Sequence, residues 1–452
     1  MAKPIKLDVQ VYSLFTVNAD ASKQSASQPR IAVARWGSRT SHPVVDATVE
    51  IEGTGLRTIV GRFGHAPLNV SSLTSGDYVL SLTPHARNLL RSSGGPVGPD
   101  DGNSTDTPGT CRYRPLKIQV SLKLHESSVT IDAASPYGGA THGDAVREPP
   151  STLLIDWKPD WVACKHKGPR PNKVAPDLVL VHRTDGATAG SSLDEFIPSP
   201  ISKASHYLVD VDGYVIKLVH EDIVANHAGE SWWAGTAQLK YSSVGIEVVN
   251  KSGPFTEKQY EAVIRIIRDL QVKYPGITRH NVLAHGDVRV QKATAPEDLK
   301  LVERSGCPGV FFDWRYLEKA GVCTKADESL FKEGQIDDEY GGYFKDNPAS
   351  RIPLFKKDSA LLRKDKTSYG VIASLQADLS SLGYSVHSRA PQPDDEGKLS
   401  FTGEYDVPTQ AAVDRFRRRY MFGAVPNNKD LNPTFDRATA ITLKRVLLDR
   451  QR

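Results

Sequence analysis

Three short, predominantly apolar runs near the middle of the 452-residue chain constrain its fold most strongly. They occupy residues 178–181, 244–249 and 282–284. A strand that is covered on both faces carries such a run. Between the last two runs lies a helix pattern, in which a capping box of Thr256 and Gln259 precedes an apolar face. That face comprises Val263, Ile266, Ile267 and Leu270. Strands that alternate with a helix predict an α/β domain over residues 151–325.

The residues before this domain have an alternating pattern instead. Polar residues separate Ile5, Leu7, Val9 and Val11, and the alternation returns at 48–52, 77–82 and 116–124. Short strands of this kind, joined by turn residues, predict a β-sandwich over residues 1–135. The segment resembles the transthyretin-like and carboxypeptidase-regulatory-like sandwiches. We expect a loop at 91–110 and a linker at 135–150.

The end of the chain has a third pattern. Residues 326–366 are charged and irregular, which predicts a second linker. Three apolar stripes at helical spacing then predict a three-helix module over residues 367–452. The stripes are Ile372, Leu375, Leu379 and Leu382; Val413, Phe416 and Tyr420; and Leu443, Val446 and Leu447. The predicted architecture is therefore multidomain, with a β-sandwich, an α/β domain and a helical module.

Composition argues against several classes of protein. The formal net charge of +4 does not imply a nucleic-acid partner. No stretch reaches the ~20 apolar residues of a transmembrane helix. The four cysteines have no CxxC spacing and are too few for a disulfide scaffold of this size. Polar residues interrupt the sequence from Lys6 onward, so no signal peptide is predicted.

Two of the apolar runs lead directly into a histidine. His182 follows the first run and His285 the third, and strand ends combine fixed geometry with access from loops. Cys307 lies in the turn sequence SGCPG at 305–309. Two histidines and one cysteine form a plausible catalytic zinc set, because three protein ligands leave the fourth tetrahedral position to water. Taken singly, each histidine also suits a packed or surface position, and the cysteine a small core position.

Five sequence blocks in the same order resemble a known family. They read VLVHRT at 179–184, SHYLVDVDG at 205–213, NHAGESW at 226–232, SVGIEVVN at 243–250, and AHGD at 284–287 with CPGVFFDW at 307–314. This stretch resembles the type 2 N-acetylmuramoyl-L-alanine amidases, a group that includes AmpD-like enzymes, phage amidases and peptidoglycan recognition proteins. The resemblance implies a mixed central sheet with a zinc ion (Zn²⁺) at its edge and bacterial peptidoglycan as the substrate.

The resemblance also implies roles for single residues. His182, His285 and Cys307 match the three zinc ligands. Glu247 matches the catalytic glutamate, which would carry a proton from water to the leaving amine. The alternative for Glu247 is a solvated carboxylate on a strand.

Three further residues are predicted to bind substrate. His227 matches a family position near the cleft, Trp232 would stack on a sugar ring, and Asn250 ends the fourth block. Packing is the alternative for Trp232 and for its neighbour Trp233. His206 matches a position that is more consistent with a structural role.

The sequence departs from the family where the oxyanion is stabilised. Family members often carry Lys or Thr two residues before the third ligand, whereas this chain has Ser305, a weaker electrostatic partner. Ser305 is still predicted to be catalytic, with Lys292 or Arg304 as candidate substitutes. The third ligand follows the second by 22 positions, so we expect an added loop at 290–304 over the cleft.

The helical module resembles the three-helix peptidoglycan-binding domain. The matching motifs are a Leu-Gln helix at 375–379, Leu-Gly-Tyr at 382–384, Gly-Glu-Tyr-Asp at 403–406, and a helix at 409–416. A weak binding module attached to an enzyme would raise the local concentration of its substrate.

Together these patterns predict hydrolysis of the amide between N-acetylmuramic acid and L-alanine. The predicted setting is an antibacterial effector or phage-like lysin, made in the cytoplasm and acting in the periplasm or outside the cell by a non-Sec route. A secretion apparatus and an immunity protein would be its partners. Alternatives are a non-catalytic recognition protein, a cytoplasmic amidase that recycles muropeptides, and a cysteine hydrolase with Cys307 as nucleophile and His285 as base. The last alternative leaves His182 without a role.

Overall fold

The fold is described by a computed structural model. It covers residues 5–13, 17–18, 30–31, 42–44, 46–61, 64–85, 111–125, 129–133, 152–197, 203–290, 306–346, 351–352, 366–387, 401–424 and 434–452. Contacts divide the chain into two compact units. The first contains residues 1–168 and 186–223, and the second contains residues 169–185 and 224–452. These units differ from the three consecutive domains that the sequence predicts.

The described regular elements are as follows. The strands are β1 Lys6–Ser13, β2 Val17–Asn18, β3 Arg30–Ile31, β4 His42–Pro43, β5 Thr48–Ile51, β6 Leu56–Ile59, β7 His65–Asn69, β8 Gly76–Thr83, β9 Cys111–Arg112, β10 Leu116–Leu124, β11 Val129–Ala133, β12 Thr152–Asp156, β13 Trp161–Val162, β14 Leu178–Arg183, β15 Tyr207–Val209, β16 Val215–Lys217, β17 Trp232–Trp233, β18 Thr236–Ala237, β19 Ser243–Val248, β20 Val282–Ala284, β21 Arg351–Ile352 and β22 Phe435–Asp436. The α-helices are α1 Ala189–Phe196, α2 Glu257–Lys273, α3 His285–Val288, α4 Arg315–Lys319, α5 Tyr343–Asp346, α6 Lys366–Leu382, α7 Val407–Tyr420 and α8 Arg437–Arg450. Short 3₁₀ helices span Pro171–Lys173, Leu239–Tyr241, Arg279–Asn281, Glu333–Asp337 and Glu339–Gly342.

Two sheets of the first unit share one core. Strand β1 pairs with β12 in parallel and with β4 and β7 in antiparallel fashion. The second sheet has the order β11-β10-β8-β5-β6. Alternate residues of β1 and β10 are buried, and both sets belong to the same apolar cluster. The pairing of β12 with β1 places residues 152–156 in this unit, although the sequence assigns them to the next domain.

The second unit is built on three parallel strands in the order β20-β14-β19. Every residue of β19 and the first five of β14 are buried, which explains why these segments read as apolar runs rather than alternating ones. All three strands predicted from those runs are confirmed, as is helix α2 with its capping box of Thr256 and Gln259. Because parallel strands end at one edge of a sheet, the residues at their carboxyl ends lie close together.

Helices α6, α7 and α8 belong to the same compact unit as the parallel strands. The three predicted apolar stripes lie mainly on buried faces, with Tyr420 and Leu447 partly exposed. Their core cluster includes Leu178, Leu180 and Leu283 of the strands. Asp406 and Asp436 cap the starts of α7 and α8 by accepting hydrogen bonds from backbone N–H groups. The helices therefore share a hydrophobic core with the sheet.

The segment predicted as a second linker is structured over residues 326–346. It contains short helices, and its core residues are Phe331, Ile336, Tyr340 and Phe344. The prediction of an irregular linker is wrong for this stretch, because the dense charges around these four residues obscure their spacing. The predicted loop at 91–110 and the predicted linker at 135–150 lie outside the described residues. Within the described ranges, no helix has the length and apolar content that crossing a membrane requires.

Candidate metal centre

The structure brings the three predicted ligands together at one edge of the parallel strands. His182 lies near the end of β14, His285 directly follows β20, and Cys307 lies in the turn that precedes Pro308. One donor atom from each residue lies within 4.8 Å of the other two. Strand register explains the convergence, since Val181 pairs with Ala284 and both histidines are the next residue along.

Hydrogen bonds hold Cys307 beside the histidines. The backbone N–H of Gly286 donates to the carbonyl of Cys307 at 2.7 Å, and the backbone N–H of Arg183 lies 3.3 Å from Cys307 Sγ. A backbone donor directed at a thiolate sulfur is a common feature of the surroundings of metal ligands. The turn is therefore fixed both to α3 and to the end of β14.

The donor set fits a zinc ion. Nitrogen, nitrogen and sulfur are the ligands that zinc accepts in catalytic sites with an open position. His285 Nε2 lies 3.2 Å from the carbonyl oxygen of Ala228, which can only accept, so Nε2 carries the proton and Nδ1 carries the lone pair. Burial, followed by the neighbouring Glu247 carboxylate, raises the pKa of the Cys307 thiol to about 12. A nearby cation is what would stabilise its thiolate at neutral pH.

Glu247 lies beside His182, one of the two candidate ligand histidines. It is paired in register with His182 across β14 and β19, and its Oε1 lies 3.9 Å from His182 Nδ1. The residue is 8% exposed on a strand that is otherwise fully buried. This placement excludes the solvated carboxylate that the sequence left open, and it sets the acid next to the metal-ligand cluster.

His227 also contacts His182. Its Nδ1 lies 3.1 Å from His182 Nε2, and its Nε2 lies 3.4 Å from Ser243 Oγ. The sequence predicts a residue near the cleft, and the geometry puts it directly against the metal-ligand cluster. From there it can orient the imidazole of His182.

The other predicted substrate residues differ in their surroundings. The Nδ2 of Asn250 donates to the carbonyls of Gly253 and Pro254, so its amide shapes a loop. Trp233 is buried in the core, whereas Trp232 is partly exposed. Packing is therefore the role of Trp233, and Trp232 keeps an accessible face.

The predictions for His206 and for Ser305 have different outcomes. His206 is fully buried in the first unit, where its Nε2 donates to the carbonyl of Ile223, as a structural histidine does. Ser305, Lys292 and Arg304 lie outside the described residues, so the predicted oxyanion role of Ser305 stays a prediction.

Sequence reasoning assigned no role to Asp287. Its carboxylate is 2% exposed and accepts a hydrogen bond from the backbone N–H of Ala284 at 2.9 Å, closing the turn that begins at His285. The signal was present in the AHGD block at 284–287, because an acid three residues after a helix start is a capping pattern. The sequence pattern therefore indicates that Asp287 is a capping residue, two positions after the candidate ligand His285.

Comparisons with known proteins agree with the family resemblance of the middle segment. Residues 172–309 match the sequence model of the N-acetylmuramoyl-L-alanine amidase family. The 1,6-anhydro-N-acetylmuramyl-L-alanine amidase AmpD of Enterobacter cloacae is 28% identical over 187 residues, covering 37% of this chain and 92% of AmpD. The N-acetylmuramoyl-L-alanine amidase AmiD of Escherichia coli is 26% identical over 267 residues, covering 54% of this chain and 83% of AmiD. The predicted resemblance to this family is confirmed for the segment.

Two solved structures are similar over a larger part of the chain. AmpDh3 from Pseudomonas aeruginosa aligns with a TM-score of 0.41 and 19% identity, covering 60% of this chain and 91% of AmpDh3. AmiD from E. coli, in complex with the substrate anhydro-N-acetylmuramic acid-L-Ala-D-γ-Glu-L-Lys, aligns with a TM-score of 0.40 and 21% identity, covering 62% and 91%.

Proposed function

We propose that this chain is a zinc-dependent amidase that hydrolyses the bond between N-acetylmuramic acid and L-alanine in bacterial peptidoglycan. The observation that carries the proposal is the convergence of His182, His285 and Cys307 within 4.8 Å. Glu247 lies beside them, and all four residues fall within the segment that matches the amidase family. The relatives that cover this segment are named as muramoyl-L-alanine amidases.

Each residue then has a chemical task. A zinc ion held by the three ligands would supply Lewis acidity toward the amide carbonyl and toward water. Glu247 accepts a proton from the attacking water and delivers it to the amide nitrogen as the carbon–nitrogen bond breaks. The products are a lactyl carboxylate on the sugar and a peptide with a free L-alanine amino group. His227 orients His182, and the exposed face of Trp232 is available to a sugar ring.

The cysteine-hydrolase alternative is chemically weaker. A nucleophilic cysteine needs a thiolate near neutral pH, and burial raises the pKa of Cys307 to about 12. That alternative also leaves His182, which lies in the same cluster as His285 and Cys307, without a role. The recognition-protein alternative requires no catalytic acid, whereas this chain retains Glu247 beside three ligands. Both considerations favour metal-dependent hydrolysis.

We further propose that α6, α7 and α8 correspond to a peptidoglycan-binding domain and that the protein acts on the polymeric wall, as an antibacterial effector or phage-like lysin. The sequence motifs at 375–384 and 403–416 support the first proposal. Comparing the digestion of intact sacculi with that of soluble muropeptides distinguishes an enzyme that acts on the polymeric wall from one that recycles muropeptides. Activity confined to the soluble fragments would favour recycling instead.

The decisive experiment combines metal content with product analysis. Wild type is expected to bind one zinc ion per chain and to release peptides with new L-alanine amino termini from purified peptidoglycan. Cys307→Ala should lose both properties, whereas Cys164→Ala, a buried cysteine of the first unit, should retain them. Zinc binding without product would support the recognition-protein alternative. Absence of zinc from the wild type would refute the proposed mechanism.

A further inference from the structure

We propose that Tyr384, acting through Asp287, is a positioning residue for the zinc ligands, so that the C-terminal helices form part of the metal centre. The inference rests on the proposed metal site and assigns it a support more than 90 residues away along the chain. It assigns the tyrosine of the Leu-Gly-Tyr motif at 382–384 a role in supporting the proposed metal site.

The first step of the argument concerns the two oxygens of Asp287. Oδ2 accepts the Ala284 N–H at 2.9 Å and so fixes the start of α3, where His285 is the first residue. Oδ1 accepts the hydroxyl of Tyr384 at 2.9 Å. A single buried carboxylate thus connects the backbone next to a proposed zinc ligand with Tyr384, two residues past the end of α6.

The second step links the same turn to the third ligand. Gly286, between His285 and Asp287, donates its N–H to the carbonyl of Cys307 at 2.7 Å. Movement of Asp287 would therefore shift both His285 and the Cys307 turn. Partners that orient metal ligands typically change metal affinity by about 10–100-fold when they are removed.

The third step shows that Tyr384 is rigidly placed. Its ring contacts Trp233 edge-to-face, with ring centroids 5.0 Å apart, and the side chain is 2% exposed. The carbonyl of Gly383 accepts the N–H of Ala234 at 3.2 Å. A residue held on several sides can fix the position of the group it contacts.

The helix α7 reinforces this arrangement. Arg419 Nε lies 3.9 Å from Asp287 Oδ2, and its guanidinium stacks on Trp314 at 3.7 Å. A tyrosine hydroxyl and a guanidinium from the C-terminal helices therefore approach one carboxylate. Because the arginine contact is long, the tyrosine hydroxyl is the group we assign to positioning.

The chain offers a matched control for the test. Tyr340 is also buried and donates its hydroxyl to an aspartate, Asp378 Oδ2, at 2.7 Å. Neither residue is within the metal-ligand cluster or its hydrogen-bonded turn. Tyr384→Phe and Tyr340→Phe each remove one hydroxyl from a buried tyrosine that donates to an aspartate. Asp378 is partly exposed and also pairs with Lys444, so Tyr340→Phe controls for the loss of a buried tyrosine hydroxyl rather than for a buried carboxylate.

We expect Tyr384→Phe to weaken zinc affinity about tenfold or more, as measured by competition with a chromophoric chelator. It should also alter the absorption spectrum of the Co²⁺-substituted protein, a direct report on ligand geometry. Tyr340→Phe should change neither. Equal zinc affinity and an unaltered Co²⁺ spectrum in folded Tyr384→Phe would overturn the inference. Failure of wild type to bind zinc would instead overturn the proposed function.

A second measurement uses the wild type, in case Tyr384→Phe does not fold. Coupling is reciprocal, so zinc should protect the structure that supports its ligands. The amides of Gly383 and Tyr384 donate to Ser380 and Leu379, which makes them suitable hydrogen-exchange probes. Under conditions in which exchange occurs by local opening rather than by unfolding of the whole unit, zinc should slow their exchange more than that of the amides in α8. Equal slowing at both places would contradict a specific link.

Discussion

At the scale of single residues, the proposed chemistry depends most on Glu247. Its burial beside His182 predicts that Glu247→Gln keeps the shape of the site but loses the proton carrier. We expect amidase activity to fall roughly 10²–10⁴-fold, the usual contribution of a general base, with zinc content unchanged. Glu257→Gln, an exposed change at the start of α2, is the matched control. Full activity of Glu247→Gln would exclude the proposed role.

The thiol of Cys307 gives a pH-dependent prediction. With a pKa raised to about 12 by burial, the thiol of the metal-free protein is protonated at neutral pH. Alkylation should therefore be on the order of a thousandfold slower at pH 7.5 than for a thiol with the usual pKa of ~8.5. The rate should rise with pH up to the pKa of the group. Site-resolved mass spectrometry after zinc chelation measures it, and rapid alkylation at neutral pH would favour the cysteine nucleophile.

The sequence predicts the candidate ligands better than it predicts the residues that we propose support them. His182 and His285 each follow an apolar run, and parallel strand ends meet at one edge, so local pattern and family resemblance together suffice. Tyr384 is different, because its partner Asp287 lies 97 residues away. A local pattern indicates that Tyr384 follows a helix, but only tertiary packing determines which carboxylate its hydroxyl meets.

At the scale of elements, the turn after α6 shows how closely the C-terminal helices approach the rest of their unit. Gly383 has a φ of +109°, and a Cβ at this position would lie 2.6 Å from Trp233 Cε2. Gly423, with a φ of +80°, has no atom within 4 Å of such a Cβ. A side chain at position 423 therefore adds backbone strain alone, whereas a side chain at position 383 adds backbone strain and a steric clash with Trp233.

This comparison predicts different costs for the same substitution. Gly423→Ala should reduce the free energy of unfolding by about 1–2 kcal/mol, the cost of left-handed backbone for a residue with a Cβ. Gly383→Ala should cost about 1–3 kcal/mol more, because the added methyl group overpacks the turn against the indole. Denaturant unfolding measures both variants. Equal losses would mean that the turn does not pack on Trp233 in solution.

Elements with a regular pattern are predicted from sequence, and short ones hidden among charges are not. The buried strands at 178–183 and 243–248 and the helix at 257–273 follow from apolar spacing. Residues 326–346 escape prediction because Phe331, Ile336, Tyr340 and Phe344 are separated by charged and polar residues. Each of these side chains contributes to a core whose other members are distant in sequence, which no local window detects.

At the scale of the whole molecule, two of the hydrophobic clusters among the described residues have different members. One cluster comprises residues of the N-terminal sheets, and another joins the parallel strands to α6, α7 and α8. The two clusters have no residue in common. A tethered module would unfold independently of the enzyme, whereas helices that share a core with the sheet should unfold together with it.

Because α8 and β14 contribute to the same core, a core mutation in α8 should also destabilise β14. Leu443 of α8 is fully buried in the shared cluster, so Leu443→Ala should cost about 2 kcal/mol or more. Native-state hydrogen exchange should then accelerate by roughly 30-fold for the most protected amides of both α8 and β14, since each 1.4 kcal/mol is a factor of ten. Amides of β10, whose side chains belong to the other core, serve as the internal control and should exchange at an unchanged rate. If exchange accelerates only in α8, the helices form an independent domain. The proposed support of the zinc ligands by Tyr384 would then have to act between two parts of the chain that unfold separately.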